Sequence, residues 1–114
     1  MVDATTPQLV YFVGLLDIAT DAWYAQNYPQ STSRGIRHEV MVGPKHIRIV
    51  RDASACGFVD RATGDIYYPA SYQGPGSKKA RRVRGNIYDP DNGAGCVRWY
   101  GVARADDMPG GGTK

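Results

Sequence analysis

Residues 56–69 read Cys56-Gly57-Phe58-Val59-Asp60-Arg61-Ala62-Thr63-Gly64-Asp65-Ile66-Tyr67-Tyr68-Pro69. Two runs rich in β-favouring side chains meet across a polar break, and the break carries turn chemistry. Asp60 is the residue type that opens a turn, and Gly64 suits the left-handed position of a bulged hairpin. The stretch therefore predicts an antiparallel pair of strands at 56–60 and 65–69. Upstream, Gly43-Pro44 separates apolar runs at 38–42 and 46–51, and residues 52–54 form a second turn. Val, Ile, Phe and Tyr dominate these runs, as half-buried pleated surfaces favour. Downstream, residues 84–88 predict a fifth strand, Asp89-Pro90-Asp91-Asn92-Gly93 a turn, and residues 97–102 a last short element. Connections this short favour an antiparallel meander.

The first third of the chain has a different period. Leu9, Phe12, Val13, Leu16, Ile18, Ala19 and Trp23 recur at helical spacing, with Asp17, Asp21 and Gln26 towards the other side. Residues 7–27 thus predict an amphipathic helix. Thr5 or Thr6 is its cap, Pro7 suits its first turn, Thr5 with Gln8 fits a capping box, and Tyr28-Pro29 ends it. Gly14 costs about 1 kcal/mol relative to alanine in a helix interior, which points to close approach of another backbone. The expected fold class is α+β: an N-terminal amphipathic helix packed on a small antiparallel meander of four to five strands. Residues 29–35 read as a polar linker, 73–79 as a mobile loop and 106–114 as a disordered tail. Residues 1–105 are left as a single domain.

Composition bounds the function classes. With 114 residues the chain fits one domain of modest stability margin. A hydrophobic fraction of 42% and a charged fraction of 22% are ordinary globular usage and argue against wholesale disorder. Asp17 and Asp21 interrupt the long apolar stretch, which argues against a membrane span, and no basic residue precedes that stretch as an export signal requires. The net charge is +3, but its distribution is uneven. Residues 1–33 hold Asp3, Asp17 and Asp21 with no Lys or Arg, whereas residues 34–104 hold thirteen Lys or Arg against six acids. The basic surface therefore belongs to the β-rich part, and a polyanionic partner or simple solubility accounts for it. Cys56 and Cys96 do not make a disulfide framework. Two reduced thiols are favoured over one bridge, which leans towards a reducing cytosol.

The densest functional signal is Lys78-Lys79-Ala80-Arg81-Arg82-Val83-Arg84, five positive charges in seven residues. Local excess of this kind suits nucleic acid, because neutralised phosphates release counterions, and guanidinium grips phosphate through paired donors. Tyr67, Tyr68, Tyr72, Tyr88, Trp99 and Tyr100 lie nearby, and exposed aromatics on a sheet can stack bases. A solvated loop beside core aromatics explains the same residues. Strand alternation puts Ile47, Ile49 and Arg51 on one face and His46, Arg48 and Val50 on the other, so Arg48 extends the basic surface across the sheet. Other constellations are weaker. His38, His46, Cys56 and Cys96 lack the paired close spacing of zinc sites. Asp60 and Asp65 are explained by turn chemistry. Gly74-Pro75-Gly76-Ser77-Lys78-Lys79 lacks the spacing of a phosphate loop.

The segment Phe58-Val59-Asp60-Arg61-Ala62-Thr63-Gly64-Asp65-Ile66-Tyr67, with Pro69-Ala70-Ser71-Tyr72, Arg84-Gly85-Asn86-Ile87-Tyr88-Asp89 and the preceding Gly43-Pro44-Lys45-His46-Ile47-Arg48-Ile49-Val50, resembles a recurring pattern in small uncharacterised proteins of tailed bacteriophages. The resemblance covers roughly residues 40–93. It implies phage origin and action inside the infected cell, and supplies no activity or catalytic residues. The glycine-rich, five-charge segment here departs from the shorter connection of that pattern.

The expectation is a non-enzymatic phage accessory protein of the host cytoplasm that binds nucleic acid, with no catalytic residue, metal or cofactor. Lys78, Lys79, Arg81, Arg82 and Arg84 would contact phosphates, with Arg48 and Arg98 as outlying contributors. Tyr67, Tyr72 and Trp99 would stack bases or pack beneath the basic residues. Two alternatives stand beside it: a virion structural or assembly protein or host-protein-binding factor, and an anti-defence protein that sequesters a nucleotide. Oligomeric state is not legible at this stage.

Overall fold

In a computed structural model that describes residues 1–30, 37–77 and 81–108, the 60–65 turn forms as its chemistry requires. The Asp60 carboxylate accepts the Ala62 and Thr63 N–H groups at 2.8 and 3.1 Å, and Gly64 takes φ 82°. That turn joins β3 (Ser54–Asp60) to β4 (Asp65–Tyr67). Before them run α1 (Pro7–Asn27), β1 (Glu39–Val42) and β2 (His46–Arg51); after them come β5 (Val83–Asn86), β6 (Val97–Arg98) and β7 (Gly101–Val102). The order β1-β2-β3-β4-β5 is antiparallel throughout, a simple meander, and β6 and β7 make a separate two-stranded hairpin. The fold is therefore α+β, with one N-terminal helix and a five-stranded antiparallel sheet.

Alternation along the strands divides the sheet into two faces. On the inner face Val42, Ile47, Val59, Ile66 and Gly85 fall in register, with Val40, Ile49 and Gly57 beside them. Leu9, Phe12 and Leu16 of α1 close over this face, and Ile87, Cys96 and Val102 complete the core. Each such side chain contributes about 1.5–3 kcal/mol on leaving water. Gly57 is needed here, because a Cβ at that position would lie 2.4 Å from a methyl of Val102 on β7. The hairpin β6–β7 is clasped to the helix by Trp23 and Trp99, whose rings stack with centroids 3.9 Å apart and planes 7° apart. Thr20 donates its hydroxyl to the Trp99 carbonyl at 2.8 Å, and Arg51 reaches the same oxygen at 3.1 Å.

Several local expectations are corrected. The capping box does not form: Thr6 is the N-cap without a side-chain bond to the helix, and its hydroxyl accepts from the Asp3 N–H instead. Asp17 does not face away from the protein but binds His38, accepting its backbone N–H at 2.8 Å and meeting Nδ1 at 2.7 Å. Ile18, grouped with the core stripe, is 66% exposed, because only every third or fourth position from Leu9 to Thr20 meets the sheet. Strand β5 starts at Val83 and ends at Asn86, two residues before Tyr88, where Asn86 turns the chain by accepting the Tyr88 N–H. Residues 106–108, placed in a tail, belong to the fold: Ala105–Asp107 is a 3-10 turn and Met108 packs against the core. Residues 73–77 are also held, since Pro75 is buried and the Ala70 N–H donates to the Gly74 carbonyl. Residues 31–36, which take in most of the 29–35 linker, and residues 109–114 lie outside the described residues. Both cysteines are free and buried, and burial pushes the Cys96 thiol up to about 12.

Candidate nucleic-acid interface

The face of the sheet turned away from α1 carries a row that crosses all five strands. Met41, Arg48, Phe58, Tyr67 and Val83 are successive register partners on β1 to β5. A sheet face with no helix over it would leave such rings in water. Here residues 69–77 fold back to cover part of it, leaving Phe58 and Tyr67 buried. The covering segment is held by the row itself: Arg48 Nε donates to the Tyr72 carbonyl at 2.8 Å, and the Tyr72 hydroxyl meets the Met41 sulfur at 3.6 Å.

Two guanidinium groups sit over this aromatic layer. Arg48 sits 4.4 Å from the centre of the Tyr72 ring and Arg81 sits 4.9 Å from that of Tyr67. Contacts of this kind are worth about 0.5–2 kcal/mol and hold the cation in one orientation. His46 stands between them, edge-on to Phe58 and Tyr67, with Arg81 Nη1 3.3 Å from its Nε2. For that bond to form Nε2 must be unprotonated, so the ring is neutral with its proton on Nδ1. Burial first, then Arg81 and Lys45 against the opposing pull of Asp60, holds the His46 pKa below its ordinary 6.5. Among the described residues neither Arg48 nor Arg81 has a carboxylate within ion-pair distance.

Two hollows flank His46. One, of about 390 Å³, is bounded by Met41, Lys45, His46, Arg48, Phe58 and Gln73. The other, of about 450 Å³, is bounded by residues including Met1, Lys45, His46, Asp60, Gly76 and Arg81. Both have the size range of small-molecule sites, and both combine apolar walls with fixed cations.

The predicted basic residues do not form one surface. Arg48 and Arg81 come together on the outer face, over Tyr72 and Tyr67. Arg84 is the extra residue of a β-bulge, between register pairs Tyr67–Val83 and Ile66–Gly85, and its Nε donates to the Ala103 carbonyl at 2.9 Å. Arg98 is spent on the carbonyls of Gly95, Val97 and Asp107. Trp99, grouped with Tyr67 and Tyr72 as a stacking residue, lies in the helix-side layer against Trp23. Arg82 precedes β5 and is exposed. Lys78 and Lys79 lie outside the described residues. Lys45, His46, Phe58 and Met41 were not among the expected contributors. Their signal was present in the strand alternation, which sets His46 and Arg48 on one face, combined with the 60–65 hairpin, which sets Phe58 opposite Tyr67.

Among the described residues no three His, Cys, Asp or Glu side chains gather as a metal site, and no helix is long and apolar enough to cross a membrane. A helix-backed meander with a cation–aromatic outer face defines a small α+β domain whose open side is basic. The chain belongs to a family of unknown function, DUF7717, whose model matches residues 15–104. The match spans all seven strands and the whole outer-face row. No curated protein and no solved structure matches the chain.

Proposed function

We propose that this is a non-enzymatic accessory protein of a tailed phage, acting in the host cytoplasm, that binds nucleic acid across the outer sheet face. The supporting observation is the pair of guanidinium groups held on Tyr72 and Tyr67 on either side of His46, without carboxylate partners among the described residues. Arg48 spends Nε on the Tyr72 carbonyl and Arg81 spends Nη1 on His46, so each guanidinium is held in place with its remaining in-plane donors for phosphate and its outer face as a platform for a base. Lys78 and Lys79 add two positive charges in the sequence between Gly76 and Arg81. Arg84 and Arg98 are left out of the interface, and Trp99 with them.

The test is binding of random-sequence single-stranded DNA, double-stranded DNA and RNA at low and moderate salt. Wild type is compared with Arg48→Gln/Arg81→Gln and with Lys78→Gln/Lys79→Gln. Affinity that falls steeply with salt and is weakened at least tenfold by the first pair supports the reading. Absence of binding to all three polymers at low ionic strength removes it. A second reading draws on the hollows beside His46: sequestration of a single nucleotide, which is tested by thermal shift with cyclic and adenine nucleotides in the same buffers. The virion-assembly reading draws on the apolar outer side of α1, and mass spectrometry of purified particles tests it.

A further inference from the structure

The helix α1 carries large apolar side chains on two sides, although among the described residues only one of them is buried. Leu9, Phe12, Leu16 and Thr20 are buried against the sheet, yet Val10, Tyr11 and Ile18 are 55, 59 and 66% exposed, and Ala22 is exposed beside them. Gly14 lies in the middle of this outer stripe, and a Cβ built there would meet nothing within 4 Å. The close backbone approach that would explain a glycine in a helix interior is therefore not made among the described residues. Helices with a second apolar stripe opposite the core are normally covered there too.

We propose that α1 packs against α1 of a second copy, antiparallel, about a two-fold axis at Gly14. A two-fold axis at residue 14 sets Val10 and Tyr11 of one copy beside Ile18 of the other, and Pro7 beside Asp21. The first pairing buries the three large exposed side chains, and the missing Cβ at Gly14 lets the helices come close. The second pairing is electrostatic. The N-terminus of α1 carries partial positive charge, has no side-chain cap and has no acidic residue in its first turn. Asp21, already 3.4 Å from Arg37, brings a carboxylate to that end from the other chain. A patch of this size buries less than the roughly 800 Å² per partner of a standard interface, so it fits reversible association in the micromolar range. The outer sheet face lies on the opposite side of the sheet from α1, so each copy would keep its cation–aromatic row free and the pair would present two, facing apart.

Sedimentation velocity from about 1 µM to several hundred micromolar reads the association directly, in buffer of high salt so that bound nucleic acid does not contribute. The expected result is a monomer–dimer equilibrium weakened at least tenfold by Ile18→Lys, with the melting temperature unchanged at concentrations where wild type is monomeric, because that side chain is exposed in the single copy. Gly14→Cys should give a single covalent dimer under mild oxidation, since Cys56 and Cys96 are buried, while Gln26→Cys should not. A chain that is monomeric across the range, a dimer indifferent to Ile18→Lys, or equal cross-linking at residues 14 and 26 overturns the proposal. None of these outcomes bears on nucleic-acid binding by the outer face, so the two readings fail separately.

Discussion

Three sites, the Asp52-Ala53 turn, Gly57 and His46, illustrate how backbone geometry and charge set the limits of this fold. Asp52 and Ala53 form the two-residue turn between β2 and β3, with φ of 51° and 65°. Aspartate tolerates the left-handed region through local hydrogen bonding, but alanine pays a steric cost there of about 1 kcal/mol. Ala53→Gly should therefore stabilise the protein by about that amount in chemical denaturation, the reverse of the usual effect of glycine in a chain. Gly57 is the opposite case. Alanine there drives a methyl into Val102, and overpacking of this kind costs about 1–3 kcal/mol, read as an earlier unfolding midpoint. His46 gives the pH dependence. Its pKa is lower folded than unfolded, so the folded state favours the neutral ring. Its contribution to stability is complete above the unfolded value near 6.5 and is lost as pH falls through the folded value. Stability measured from pH 8 downward should begin to drop just below 6.5 in wild type, and His46→Gln should remove that part of the decline.

At the scale of elements, α1 and the hairpin β6–β7 form one layer over the inner sheet face, and the Trp23–Trp99 stack is their clasp. Trp99→Ala should cost about 2 kcal/mol of stability, from lost ring contact and area, while leaving affinity for nucleic acid unchanged. A loss of binding without a loss of stability would return Trp99 to the interface. The helix limits and the order of the five strands were legible in the chain, because hydrophobic period and turn residues are local properties. Residues 7–27, 46–51 and the 60–65 turn matched their expected positions for that reason. The bulge at Arg84 was not legible. It arises where β5 must pair with β4 while its arginine reaches Ala103, a contact set by residues nineteen positions further on.

For the whole molecule, the sheet separates two surfaces of different chemistry. The helix side presents Val10, Tyr11 and Ile18, and the other presents Arg48, His46 and Arg81. A net charge of +3 is too small to drive strong non-specific binding by itself, so affinity for a polyanion must come from local placement. Each phosphate neutralised contributes about 0.9 to the slope of log affinity against log salt on a duplex, and about 0.7 on a single strand. Neutralising Arg48 and Arg81 together should thus lower that slope by about 1.4–1.8. Neutralising Arg84 and Arg98, which are held by backbone carbonyls, should leave the slope where it is and lower stability instead.

The chain by itself determined its class, its N-terminal helix, its strand order and the turn that pairs β3 with β4, since each depends on neighbours within a few positions. It also marked the charge asymmetry between its helical and β-rich parts. Only the tertiary structure decided which cations share a surface. Within the basic run Arg81 turns onto Tyr67 and His46, whereas Arg84 sits in a bulge and donates to the Ala103 carbonyl; Arg48, thirty-three positions before Arg81, is brought to the other side of His46 by the pairing of five strands. Charge is a property of residues, but a binding surface is a property of register.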